Sequence, residues 1–99
     1  MILVRDVFQL KFGKAKEAID LMKEAQAIAN SSGATSPFRV CTDLTGPYYT
    51  LVLESTYENL SAYEQDMHSM LGNADWKAWY QRFQQLAESG HREMYTIVS

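Results

Sequence analysis

Apolar residues recur at alternate positions from the start of the chain. Ile2, Val4, Phe8 and Leu10 share one side of an extended segment with Asp6, while Leu3, Arg5, Val7 and Gln9 share the other. Gly13 closes this strand. The spacing then changes. From about Lys14 to Asn30, Ala15, Ala18, Ile19, Met22, Ala25 and Ala29 follow the three-and-four rhythm of a helix with one buried stripe. Lys16, Glu17, Asp20, Lys23 and Glu24 cover its solvent side, and Asn30-Ser31-Ser32-Gly33 reads as a stop and a loop.

Alternation returns in Phe38–Glu54, where Thr45-Gly46-Pro47 supplies a turn. Proline lacks an N–H, so Pro47 belongs in the loop. A four-residue loop, Leu44 to Pro47, sets Asp43 opposite Tyr48, Arg39 opposite Val52 and Phe38 opposite Leu53. This register divides the hairpin into unlike faces. Phe38, Val40, Thr42, Tyr49, Leu51 and Leu53 form a nearly apolar one. Arg39, Cys41, Asp43, Tyr48, Thr50, Val52 and Glu54 form a mixed one, with the character of a polar cavity lining.

A second helical stretch follows, with Asn59 as its N-cap and Leu60, Tyr63, Met67, Met70 and Leu71 inward. Gly72-Asn73 interrupts it, and Asn73 caps a continuation from about Ala74 to Ser89 that carries Trp76, Trp79, Tyr80, Phe83, Leu86 and Ala87. Gly90 is expected as a C-terminal cap. Arg92 to Val98 is the last strand. The order strand–helix–strand–strand–helix–strand predicts an α+β, ferredoxin-like βαββαβ fold, with two helices on one face of a four-stranded antiparallel sheet. The other face keeps Leu3, Val7, Tyr48 and Val52 among polar groups. That much apolar area seldom faces water, so a homodimer packed through this face is expected.

The 99 residues suit one domain, 1–99, and a 46% hydrophobic share is that of a globular chain. A formal net charge of -3 without any Lys/Arg run argues against nucleic acid as a partner. No apolar run is long enough to span a bilayer, and MILVRDVF lacks the basic start and cleavage site of a signal peptide. The lone Cys41 excludes an intrachain disulfide, and a cytoplasmic protein is the simplest expectation. No His/Cys/Asp cluster has metal-site spacing, so neither a metal nor a cofactor is expected.

On these elements the chain resembles the dimeric α+β barrel superfamily over nearly its whole length. The segment from Asp43 to Glu54, followed by Tyr57-Glu58-Asn59-Leu60, is most similar to NIPSNAP-like small proteins, and Phe12-Gly13-Lys14 resembles their Pro-Gly-Lys turn. The resemblance implies a homodimer with a cavity between sheet and helices in each subunit, often without a metal. Its relatives include antibiotic-biosynthesis and haem-degrading monooxygenases. The haem-degrading constellation is not reproduced: the first strand has no asparagine, His68 precedes Trp76, and His91 lies beyond the second helix. Trp76, Tyr48, Arg39 and Arg5 supply three of the four residue types that line the cavity of the cofactor-free quinone-forming enzymes.

The ligand-cavity candidates are therefore Arg5, Arg39, Asp43, Tyr48, Glu54, His68 and Trp76. Arg39 and Glu54, diagonal on the mixed face, make either a register-fixing ion pair or an anion clamp with a proton acceptor. Tyr48 and Asp43 make a phenol–carboxylate hydrogen bond, or Tyr48 acts as an acid or oxyanion donor. His68 is a surface or boundary histidine, or a ligand or base pointing into the cavity, and Trp76 is a packing residue or a gate at the cavity mouth. Cys41 is expected as a small buried filler. Asp6 conflicts with its apolar face unless it is paired at the sheet edge or turned outward by a bulge. Three functions fit: binding of a small organic molecule, a cofactor-independent monooxygenase or isomerase acting on an aromatic or polyketide-like compound, or an interaction module without a ligand. A roomy cavity containing Arg39, Tyr48 and Glu54 would favour the first two. A filled face with an Arg39–Glu54 pair would favour the third.

Overall fold

The computed structural model describes residues 1–33 and 37–99. Its elements are β1 (Ile2–Leu10), α1 (Ala15–Ser31), β2 (Arg39–Thr42), β3 (Thr50–Tyr57), α2 (Leu60–Leu71), α3 (Ala74–Gln84) and β4 (Ala87–Thr96). The strands form one antiparallel sheet in the order β2-β3-β1-β4, the ferredoxin-like arrangement. The helices lie on one face. Between them and the sheet, Ala18, Met22 and Ala25 of α1 pack with Leu51, Trp79, Phe83 and Leu86. The caps are as the sequence implies. Asn59 Oδ1 accepts from the Ala62 N–H at 2.9 Å, and Asn73 Oδ1 accepts from the Trp76 N–H at 3.0 Å.

The hairpin register differs from expectation by two residues. Arg39 stands opposite Glu54, Val40 opposite Leu53 and Cys41 opposite Val52. The Asp43 N–H donates to the Thr50 carbonyl at 3.1 Å, and Asp43 Oδ1 accepts from the Thr50 N–H at 2.9 Å. The loop is therefore longer than the predicted four residues and includes Tyr48 and Tyr49. Tyr49 closes it with a left-handed backbone (φ 59°), held where its carbonyl accepts from the Leu10 N–H at 2.8 Å. An even shift keeps every remaining strand residue on its predicted face. It does remove Tyr48 from the mixed face and from Asp43.

The end of the chain also departs from expectation. α3 stops at Gln84, and β4 starts at Ala87. Gly90 is not a helix cap but a mid-strand residue opposite Phe8. A Cβ there would lie 2.7 Å from Phe8 Cδ1. β1 offers a full-length partner, and that pairing overrides the helical look of Leu86 and Ala87 and the weak strand propensity of AESGHRE. Along α2 the inward set is Tyr63, Asp66 and Met70, while Leu60 and Leu71 are exposed.

The conflict at Asp6 is resolved by pairing. Asp6 faces the helices opposite Arg92 of β4, whose Nε donates to Asp6 Oδ1 at 2.5 Å. The Arg92 guanidinium also sits 5.7 Å from the centre of the Tyr63 ring. Cys41 is exposed, because β2 is an edge strand and the face it shares is uncovered.

Candidate functional site

Strand register places four charged residues in one row across the uncovered sheet face. Arg39 (β2) is opposite Glu54 (β3), Glu54 is opposite Arg5 (β1), and Arg5 is opposite Glu93 (β4). Signs alternate along the row, so every contact is attractive. Arg39 donates from Nε and Nη2 to Glu54 Oε1, at 2.9 and 2.6 Å. Arg5 Nε donates to Glu54 Oε2 at 3.0 Å, and Arg5 Nη1 donates to Glu93 Oε1 at 2.7 Å. His91, two residues along β4, lies 3.0 Å from the remaining Glu93 oxygen.

The network decides what these groups can do. Hydrogen bonding from Arg39 holds the Glu54 carboxyl below its ordinary value, against the opposing effect of burial. Its side chain is only 16% exposed, and both oxygens are occupied. Glu54 is thus a committed anion at neutral pH and not a proton acceptor in waiting. Glu93 is lowered as well, first by its hydrogen bond with His91. The guanidinium of Arg5 is spent on two carboxylates. The row is flanked by Val7 and Val52 on one side and by Leu3 and Tyr95 on the other. The result is a firm, charge-balanced surface and not a hollow one.

The seven candidates accordingly separate. Arg5, Arg39 and Glu54 form the row. Asp43 is used at the root of the β2–β3 loop. Tyr48 is 75% exposed in that loop, its ring centre 6.4 Å from that of Phe12, and its carbonyl accepts from Gln9 Nε2 at 2.6 Å. His68 is exposed in the last turn of α2. Trp76 is half-buried, stacked on Trp79 at 4.8 Å and packed against the main core.

A concave feature lies elsewhere, where α1 passes over the edge strand β2. It is an open groove of about 420 Å³, with Ile19, Met22, Phe38 and Val40 as its apolar lining. Its charged lining residues are Lys23, on the helix, and Arg39, whose guanidinium is paired with Glu54 on the opposite face of the sheet. A smaller hollow of about 160 Å³ adjoins it, sharing Gln26 and Phe38. Gln26 Nε2 donates to the Phe38 carbonyl at 3.1 Å, tying helix to strand at the groove's end. Ile19 and Met22 were legible as helix-stripe residues, whereas Lys23 reads as solvent-facing. The signal for Gln26 was its position between Met22 and Ala29, on the stripe yet polar.

A second polar group is buried between α2 and the sheet. The Tyr57 hydroxyl donates to Asp66 Oδ2 at 3.0 Å, and Tyr57 and Tyr63 meet edge to face at 5.4 Å. Burial, then the bond to Asp66, push the Tyr57 phenol up to about 12. Burial also raises Tyr63, whose hydroxyl is enclosed without a hydrogen-bond partner among the described residues, while the nearby Arg92 guanidinium acts in the opposite direction. This cluster was missed because Asp66, in helical register with Tyr63 and Met70, is not apolar.

Among the described residues, no group of three His, Cys, Asp or Glu side chains gathers to hold a metal, and no helix is long and apolar enough to cross a membrane. No protein-family model matches the chain, and no curated protein matches it in sequence. Its fold has clear counterparts among solved structures. An uncharacterised NIPSNAP-domain protein from Burkholderia xenovorans superposes with a TM-score of 0.87 at 14% identity, over 100% of this chain and 96% of that one. A NIPSNAP-family protein from Agrobacterium tumefaciens gives 0.85 at 19% identity, over 96% and 90%. An antibiotic biosynthesis monooxygenase gives 0.76 at 11% identity, over all of both chains. At these identities the likeness establishes the fold and no activity.

Proposed function

We propose that this protein is a homodimer that binds a small organic molecule in the groove between α1 and β2. The observation that carries this reading is the groove itself. Its volume lies in the range of ligand sites, and its lining joins the apolar Ile19, Met22, Phe38 and Val40 to the polar Lys23, Gln26, Arg39 and Thr42. Lys23, the cation on the helix side of the groove, suits a ligand with an apolar body and an anionic group. Binding is favoured over catalysis, including the monooxygenase or isomerase chemistry that the fold allows. Lys and Arg side chains offer donors and no acceptor, and Gln26 is a neutral amide, so the groove's polar groups include no carboxylate or imidazole to serve as a base for a phenol or a carbon acid.

Dimerisation through the uncovered sheet face accounts for Leu3, Val7 and Val52, which flank the ion row without a helix above them. Here the pairing of Arg39 with Glu54 supports an interaction surface in place of a cavity. The free, exposed Cys41 suits a reducing compartment such as the cytoplasm.

The binding test is chemical-shift mapping of labelled protein with octanoate and 4-hydroxybenzoate. Saturable shifts at Ile19, Gln26 and Val40 are expected. Shifts absent from these positions up to the ligands' solubility would refute the groove. Light scattering tests the assembly, and a monomer at micromolar concentration would remove the sheet-face dimer.

A further inference from the structure

β2 is the outer strand of the sheet, and the direction of its free backbone groups follows from the ladder. In an antiparallel pair, successive residues of a strand aim their N–H and C=O alternately to one side and the other. Leu10 bonds to Tyr49, so the odd-numbered residues of β3 serve β1 and the even-numbered ones serve β2. Asp43 bonds to Thr50, which agrees, and it puts Arg39 and Cys41 on the inner side. Phe38, Val40 and Thr42 therefore aim their backbone groups outward. The Phe38 carbonyl confirms this independently, since Gln26 of α1 reaches it from outside the sheet. Among the described residues, Val40 and Thr42 have no such partner.

The same residues line the groove. Phe38, Val40 and Thr42 turn their side chains to the helix side of the sheet, beneath Ile19 and Met22. An apolar trough thus runs beside an open strand edge, and both are presented to one occupant. A chain added antiparallel to β2 places alternate side chains on the Val40 face, in the trough. It places the others on the opposite face, where Arg39 is 76% exposed. The charged groups nearest this edge, Lys23 above the trough and Arg39 on the opposite face, are cations, so a second copy of the edge would bring each against its own likeness. An acidic chain would meet complementary charge.

We infer that the ligand of this groove is an extended acidic peptide segment, added as a fifth strand on β2, with apolar side chains in the trough and carboxylates toward Arg39. The inference rests on the groove being a binding site and names its ligand class. Four backbone groups, the N–H and C=O of Val40 and of Thr42, supply the pairing. The geometry dictates which peptide nitrogens matter. A residue opposite Val40 shares its face and points its own N–H at β2, so the trough-filling residues are the hydrogen-bonding ones.

The test uses the peptide acetyl-Val-Glu-Val-Glu-Val-amide and the intact protein, read by chemical-shift titration. Saturable binding with shifts at Val40, Thr42 and Gln26 is expected. N-methylation of the first two valines should weaken binding by about tenfold or more, because it removes donors facing the edge. N-methylation of the glutamates, whose N–H groups face water, should change it by less than about threefold. Replacing both glutamates by lysine should abolish binding. Equal loss from both methylation patterns would overturn strand addition. If the peptide fails while octanoate still shifts the groove, strand addition falls and the groove stands. If both fail, both readings fall. Concentration-dependent broadening at Val40 and Thr42 without a peptide effect would assign the edge to a second copy and overturn the inference.

Discussion

Gly90 provides a sharp test of how β4 is seated. Its backbone is ordinary extended chain, so alanine would meet no conformational penalty and would gain about 0.4–1 kcal/mol from a stiffer unfolded state. The obstacle is Phe8. The new methyl would sit 2.7 Å from its Cδ1, 3.1 Å from its Cε1 and 3.2 Å from the Val7 carbonyl oxygen. Carbon atoms settle at about 3.5–4.0 Å, so the ring must retreat by most of an ångström or β4 must lift. Retreat is blocked. Phe8 meets Phe83 edge-on at 4.9 Å, and Phe83, 2% exposed, is stacked on Trp79 at 5.3 Å. Overpacking of this kind costs about 1–3 kcal/mol. For a chain of this length each kcal/mol lost lowers the melting temperature by roughly 4–8 °C. The assay is thermal unfolding of Gly90→Ala alone and in a Phe8→Val background, which removes both ring atoms. In the second background the penalty should largely vanish, giving a coupling of about 1 kcal/mol or more. Additive effects, or no penalty in the parent protein, would refute the placement of Gly90 against Phe8.

Glu54→Gln leaves Arg5 and Arg39 without their shared anion and should cost about 1 kcal/mol in urea unfolding, most of it lost in high salt. Because Glu54 is held below its ordinary value, its contribution is present above about pH 4.5 and fades as pH falls through the lowered value. The wild-type protein should therefore lose stability on acidification more steeply than the Gln variant. Tyr57 behaves oppositely: its raised value, about 12 against 10, keeps its contribution intact below pH 10 and removes it as pH rises toward 12. Tyr57→Phe should flatten the alkaline limb of a pH–stability curve, and an unchanged limb would assign the effect to another group. Asn59→Ala removes the α2 cap and should cost about 1 kcal/mol, measured by the same urea unfolding, while Asn59→Asp should cost little.

What the sequence made legible follows from period and parity. The alternation of β1, the stripe of α1 and the Asn59 and Asn73 caps are local signals, and they set the topology. The faces of the hairpin survived a wrong register because the slip was even. The register itself depends on Tyr49 taking a left-handed backbone, which nothing in its side chain announces. β4 was misplaced because its pairing with β1 is a long-range fact that outweighs local propensity around Leu86–Gly90. The same gap hid the site. Arg5, Arg39 and Glu54 were found on one face, but Glu93 could not join them until β4 had a register. Without Glu93 to close its far end, a sealed ion row looks like an open polar lining. The groove was hidden for another reason: it lies between α1 and β2, and neither element carries a mark of how far apart they stand.

The middle of the sheet is occupied by the first strand of the chain and is completed by the last. Ile2 lies opposite Thr96, and the Ile97 N–H donates to the Met1 carbonyl at 3.0 Å. During synthesis, β1 emerges ahead of the other three strands and waits for β4, the last of them to be made. The β2–β3 hairpin can close while the rest is still being made, and it gives β1 one interim partner. The Asp6–Arg92 pair and the Phe8–Gly90 fit, by contrast, belong to the final event. Such a distant closure is slow, because the entropy of joining remote segments is lost before their contacts repay it. Until it occurs, the far side of β1 is an unpaired strand of mostly apolar residues, and this is the interval in which the nascent chain is most exposed to sticking to another like it.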